Sequence, residues 1–141
     1  MDRSESFPMF VYGTLMLGER NHAEVLRKNL LYYIKAEIQG QLYYYDEEDF
    51  PALTVGRKKI KGQLFYFDSL DDVLQFTHKL EGYIAPDHKD NMYHFEIAQV
   101  VTEANEIVQA FVYRINPQLL SSQANKFSVI EEDSWKTFKN R

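Results

Sequence analysis

The segment Gly40-Gln41-Leu42-Tyr43-Tyr44-Tyr45-Asp46 returns almost letter for letter as Gly62-Gln63-Leu64-Phe65-Tyr66-Phe67-Asp68. Leading into the first copy, Ile34, Ala36, Ile38, Gly40, Leu42 and Tyr44 alternate with Lys35, Glu37, Gln39, Gln41, Tyr43 and Tyr45. A period of two sends successive side chains to opposite faces, so this stretch reads as one long, half-buried strand. A short echo that occurs once does not make a solenoid. The two copies read instead as equivalent strands of one barrel, each leading glycine marking a bend or a close backbone approach.

A chain of 141 residues buries enough surface to hold a core without staples, and residues 1–141 read as a single domain. An aromatic content of 15% favours a strand-rich body, because Tyr and Phe suit pleated surfaces. The absence of cysteine excludes disulfides, thiolate metal ligands and a thiol nucleophile, and it fits a reducing compartment. A net charge of −5, with Arg57-Lys58-Lys59 the only basic run, argues against nonspecific binding to nucleic acid or an anionic membrane. No stretch approaches the roughly 18 apolar residues of a spanning helix. Met1-Asp2-Arg3-Ser4-Glu5-Ser6 lacks the apolar core of a secretory signal, so the cytoplasm is the simplest address. The oligomeric state is left open.

Pro8 to Tyr12 reads as a first strand, and Gly13-Thr14-Leu15 follows as a tight polar loop. Gly13 lets a ligand approach the main chain, the neighbouring N–H groups are candidate anion donors, and Thr14 adds a hydroxyl. Asn21 with Glu24 has the spacing of a capping box and predicts a short helix through Leu30. Asp46-Glu47-Glu48-Asp49 reads as a solvated turn. Pro51 to Val55 reads as a short edge strand, closed by a polar turn at Gly56-Arg57-Lys58-Lys59.

Ser69 and Asp72 open a second predicted helix that ends at Leu80-Glu81-Gly82, the glycine supplying its stop. At about 100° per residue, Leu70, Val73, Leu74 and Thr77 form one stripe, and Glu81 projects onto it. If the helix unwound a residue earlier, Glu81 would turn to water. A carboxylate on an apolar face at a helix C-terminus has its pKa raised by both burial and the macrodipole. Such a group suits general acid and base work near neutrality. Gly82 to Met92 then reads as a long loop, a candidate lid.

Tyr93 to Val101 and Ile107 to Ile115 read as a hairpin around Thr102-Glu103-Ala104-Asn105-Glu106, and Pro117 ends its second strand. Phe111 and Tyr113 share a face. Tyr93 and Tyr113 carry hydroxyls that need partners, whether a ligand or the core. His22, His78, His88 and His94 show no metal-ligand spacing, so no metal is expected. In the polar tail after Ser121, Val129, Ile130, Trp135 and Phe138 predict that the end docks back on the body.

Taken together, Tyr12-Gly13-Thr14-Leu15, the paired Gly-Gln-Leu-aromatic strands, Phe50-Pro51-Ala52-Leu53, Leu80-Glu81-Gly82-Tyr83 and Ala110-Phe111-Val112-Tyr113 resemble the gamma-glutamylcyclotransferase-like superfamily, in its AIG2-like branch. The resemblance runs over nearly the whole chain. It implies an α+β fold, a small mixed β-barrel with flanking helices, whose cavity is lined by the Tyr12–Leu15 loop and one glutamate that Glu81 matches. It further implies a cofactor-free reaction in which the α-amine of a small gamma-glutamyl substrate attacks its own γ-carbonyl, releasing an amine and 5-oxoproline. Glu81 would be the general acid and base, while Tyr12, Gly13, Thr14, Leu15, Tyr93 and Tyr113 would bind substrate. One oxyanion donor of the loop would contribute ~3 kcal/mol. Relatives often carry an arginine two residues after the tyrosine that Tyr93 matches, whereas Phe95 stands there in this chain. A noncatalytic module that binds a small molecule in the same cavity is the alternative reading.

Overall fold

The computed structural model describes residues 7–140; the leading segment Met1–Ser6, read above for its missing signal core, lies outside the described residues. The echoed segments pair with each other. They lie on β2 (Leu30–Tyr45) and β3 (Phe50–Phe67), a long antiparallel hairpin closed at Asp46–Asp49. β1 (Met9–Val11) pairs antiparallel with Gln63–Phe65 of β3 and parallel with Phe111 of β5 (Ile107–Ile115). β4 (Tyr93–Thr102) joins β5 to Ala36 and Glu37 of β2, so the order β3-β1-β5-β4-β2 returns to β3 and closes a five-stranded mixed barrel. Closure removes much of the exposed edge that strands this long would otherwise present, leaving the start of β3 paired on one side only.

The hairpin is longer and less interrupted than its sequence predicts. The expected edge strand, the turn at Gly56–Lys59 and the second copy are one strand, because the polar stretch is a bulge. Gln41 faces Thr54 and Gly40 faces Lys58, leaving Val55, Gly56 and Arg57 without facing partners on β2. Gly56 lies so close to Gly40 that a Cβ there would come within 2.7 Å of the Gly40 carbonyl carbon, so Gly56 must lack a side chain, and a Cβ on Gly40 would in turn meet the Thr54 carbonyl oxygen at 2.9 Å. Pro51 falls in a part of β3 flanked by β2 alone among the strands, where its missing N–H is tolerated. β2 also begins at Leu30 rather than Ile34, extended by Leu30 opposite Phe67 and by Tyr32 stacked on Tyr66 at 4.5 Å.

Helices flank the barrel. α1 (Glu24–Asn29) packs on α2 (Leu70–Leu80), and each sends fully buried residues inward: Leu26 from α1, Val73 and Thr77 from α2. The predicted capping box does not form. Ala23 occupies the N-cap of α1, and Asn21 instead donates to Thr14 Oγ1. After β5, Asn116 caps α3 (Pro117–Ser122), with proline at the first helical position where its lost N–H matters least. A 3₁₀ turn (Ala124–Lys126) leads to β6 (Phe127–Val129), which extends the sheet beyond Tyr43–Tyr45 of β2. The tail closes with α4 (Trp135–Lys139). Trp135 is fully buried, stacks on Tyr44 and Phe138, and donates its indole N–H to Glu19. No helix among the described residues is long and apolar enough to cross a membrane.

Candidate functional site

The loop after β1 is braced from several sides. The Asn21 main-chain N–H donates to the Thr14 carbonyl (2.9 Å) and its side-chain amide to Thr14 Oγ1 (2.9 Å). Gln63, from the second echoed segment, accepts the Leu17 N–H at 2.9 Å, and His22 Nδ1 lies 2.9 Å from the Leu15 carbonyl. Held in this way, the N–H groups of Gly13, Thr14 and Leu15 have no acceptor among the described residues. A Cβ on Gly13 would lie 2.5 Å from Pro51 Cγ, so only glycine lets the loop pass this closely over β3.

The loop forms one wall of a cavity of about 280 Å³. Tyr12, Gly13, Thr14, Leu15, Glu81, Tyr93 and Tyr113, the seven residues that the sequence singled out, all line it. Phe50 and Pro51 from the start of β3 close another side, and Arg20 and Glu48 also line the cavity. The sequence reading missed these last two. Arg20 is held by the acidic turn that was expected to be merely solvated: its guanidinium donates to the Glu48 and Asp49 carbonyls and to the Asp49 carboxylate. Asp49 also accepts from Tyr44 and Lys139, which hold its carboxyl below the usual range.

Glu81 is placed by the way α2 ends. It is the C-cap, with its N–H on the Thr77 carbonyl (2.8 Å); Gly82 then turns left-handed at φ 65°. The Gly82 N–H reaches the Lys79 carbonyl and the Tyr83 N–H the His78 carbonyl, the paired bonds of a Schellman stop. Glu81 keeps part of its surface, as a cavity wall must. Its carboxyl is nonetheless desolvated, and burial alone pushes its pKa from 4.5 to about 8, with no cation or hydrogen bond offsetting it. Around it stand three buried tyrosines. Tyr12 donates to the Tyr113 carbonyl (2.6 Å), and Tyr93 donates to the Pro51 carbonyl (2.7 Å). Tyr113 Oη lies 2.7 Å from Thr77 Oγ1 and 2.7 Å from His78 Nδ1. Burial, and then the nearby Glu81 carboxyl among other groups, raises the pKa of all three phenols, so they remain neutral.

Two features that the sequence singled out lie away from the cavity wall, the candidate lid and Phe95. The loop from Gly82 to Met92 contributes no residue to the cavity wall. It is pinned by buried Asn91, which accepts from the Ile84 N–H (2.6 Å) and donates to the Ala85 carbonyl (2.8 Å). Phe95 does not line the cavity either. Its ring packs against His78, Tyr83, Phe111 and Tyr113, behind the cavity wall.

An AIG2-like protein from mouse has a similar fold, with a TM-score of 0.65 and 24% identity, the match covering 92% of this chain and 87% of that one. YkqA from Bacillus subtilis gives a TM-score of 0.65 and 23% identity over 95% of this chain, which spans only 41% of the longer bacterial protein. The uncharacterized protein PH0828 from Pyrococcus horikoshii matches at a TM-score of 0.59 and 17% identity, covering 96% of this chain and 94% of that one. At such identities these likenesses speak for the fold alone. No curated protein matches in sequence. The sequence profile of the family described as gamma-glutamyl cyclotransferase, AIG2-like, runs from residue 9 to residue 137. It takes in the braced loop, the closed barrel and the glutamate at the end of α2, and on that match this chain belongs to the AIG2-like gamma-glutamyl cyclotransferase family.

Proposed function

We propose that the protein is a gamma-glutamyl cyclotransferase that converts a small gamma-glutamyl amine or peptide into 5-oxoproline and a free amine, with Glu81 as its acid and base. The observation that carries this reading is the Glu81 carboxyl, desolvated and without a counter-charge, on one wall of a cavity whose facing loop offers unused N–H donors. As carboxylate, Glu81 takes a proton from the substrate's α-ammonium. The freed amine attacks the γ-carbonyl carbon, the C–N bond to the departing amine breaks, and the lactam ring closes. In all, the ring nitrogen gives up two protons and the departing nitrogen gains two, with Glu81 carrying them in turn. A pKa of about 8 suits both directions of transfer.

The N–H groups of Gly13, Thr14 and Leu15 hold the substrate's α-carboxylate or the developing oxyanion, with fixed dipoles that need no reorganisation. Tyr12, Tyr93 and Tyr113 shape the pocket, and their neutral phenols add no charge to compete with the substrate's. Because the attack is intramolecular, folding the substrate into reacting geometry and excluding water are the main tasks, and a cavity of about 280 Å³ suits them. No cofactor takes part in this scheme, and a cytoplasmic setting agrees with a chain free of cysteine.

The test is a panel of gamma-glutamyl amines and dipeptides assayed for 5-oxoproline by mass spectrometry, with the Glu81→Gln variant alongside. Lactam from the wild type, reduced about a hundredfold or more in the variant, is the expected result. Free glutamate in place of lactam would assign a hydrolase. Ligand binding without either product would assign a noncatalytic binding module.

A further inference from the structure

Tyr113 has two side-chain partners behind the cavity wall, Thr77 and His78, and they bear on the direction of its proton. Thr77 is fully buried, and among the described residues its hydroxyl has Tyr113 Oη as its one partner. Were Tyr113 to donate to Thr77, the Thr77 proton would be left buried with no acceptor. Thr77 is therefore the donor in that bond. The protein acceptor left for the Tyr113 proton among the described residues is His78 Nδ1 at 2.7 Å, which accepts when the imidazole carries its own proton on Nε2. In that tautomer the proton lies behind the wall, and the phenol has only acceptor capacity left for the cavity.

We propose, resting on the cyclotransferase reading, that His78 is a positioning residue for the reaction: it aims Tyr113 so that an acceptor alone faces the cavity, and this acceptor holds the substrate's α-amine beside Glu81. An N–H of that amine donates to Tyr113 Oη, which turns the nitrogen lone pair toward the γ-carbonyl once Glu81 has taken a proton. His78 does not touch substrate. From its sequence it reads as a surface or core histidine without metal-ligand spacing, and Phe95, in place of the arginine that relatives often carry, packs edge-on against it at 4.7 Å.

The device has a polarity that pH reverses. A protonated imidazole would donate from Nδ1, forcing the Tyr113 proton into the cavity, where it would oppose the substrate's N–H groups. Facing His78 are Tyr113 from β5, Phe95 from β4 and Tyr83 from the loop after α2. No charged side chain contributes to its titration; burial alone lowers its pKa from 6.5 and keeps it neutral in the working range.

The experiment joins kinetics to the imidazole's nitrogen spectrum. His78→Phe should lower kcat/KM about tenfold, the effect of one hydrogen bond, and His78→Asn, whose amide oxygen falls near the place of Nδ1, should restore most of it. In the wild type, log kcat/KM should rise toward about pH 8 with slope one as Glu81 ionises, steepening to slope two below the His78 titration. The second step should vanish in His78→Asn. The nitrogen spectrum of the wild type should show Nδ1 as a bare acceptor, and Tyr113→Phe should raise the His78 midpoint. A proton found on Nδ1 near neutrality, or a steeper acid limb that survives in His78→Asn, overturns the proposal. Absence of lactam from the wild type sinks the cyclotransferase reading and the kinetic role with it. The tautomer is read separately from the spectrum, so the two failures are distinguishable.

Discussion

At Gly13 the cavity wall depends on the lack of a side chain. A methyl group there would sit 2.5 Å from Pro51 Cγ, and the proline ring is not a flexible chain end that swings aside. Gly13→Ala should therefore push the loop off β3. Overpacking of this kind costs about 1–3 kcal/mol, and it would displace the N–H donors at the same time. The expected outcome is a lower melting temperature together with a loss of 5-oxoproline formation larger than the stability change explains. A variant that melts and turns over like the wild type would show that the loop has room to move. Phe95 acts on the cavity at one remove. The missing arginine suggests a lost substrate contact when read from sequence, yet position 95 lies behind the wall, packed on Tyr113 and His78. Its chemistry reaches the cavity only through those two rings.

Elements with a strong local pattern are the ones that sequence specifies well. The alternation of β2, the stop at Glu81-Gly82 and the β4–β5 hairpin all lie where periodicity and turn residues place them, to within a few residues. The bulge at Val55–Arg57 was hidden because a polar, glycine-containing stretch looks the same whether it turns back or loops out of a continuing strand. What decides is the partner, here Gly40, far away in the chain. Asn21 is a similar case: its spacing to Glu24 fits a cap, but the nearby Thr14 offers both a carbonyl and a hydroxyl and takes it. The seven candidate site residues were legible as loop, glutamate and tyrosines, whereas Arg20, Glu48, Thr77 and His78 join the site or its support through contacts no local pattern encodes. β6 was also invisible, being three residues long and defined by pairing alone. The anchoring role of the tail was readable from its one tryptophan. Trp135 is fully buried against Tyr44 and Phe138, and α4 has only five residues of its own to hold it. Trp135→Ala should cost about 3–5 kcal/mol, seen as a large drop in the melting temperature. A shift of a degree or two would mean that the tail is not part of the cooperative fold.

For the molecule as a whole, pH sets the site and the fold against each other. Glu81 titrates near 4.5 when unfolded and near 8 when folded, so between those values the unfolded chain holds fewer protons than the native one. Stability from this group is full below about pH 4.5, falls as pH rises, and levels off above about 8, a loss on the order of a few kcal/mol. Other groups pull the opposite way in different windows. Asp49, its carboxyl lowered by hydrogen bonds from Tyr44 and Lys139, contributes stability above its unfolded value of 3.8 that is lost as pH falls through its folded one. His78, lowered by burial from 6.5, favours the fold as pH rises past its folded pKa toward that value. The Glu81 contribution is isolated by comparing the wild type with Glu81→Gln, in which the other groups are unchanged. From urea unfolding at fixed temperature, the stability of the variant relative to the wild type should climb from pH 5 to pH 8 and stay constant above pH 9. Parallel curves would mean that the carboxyl ionises in the fold as easily as in water, and a group that does so has no reason to hold a proton at neutral pH for a leaving amine.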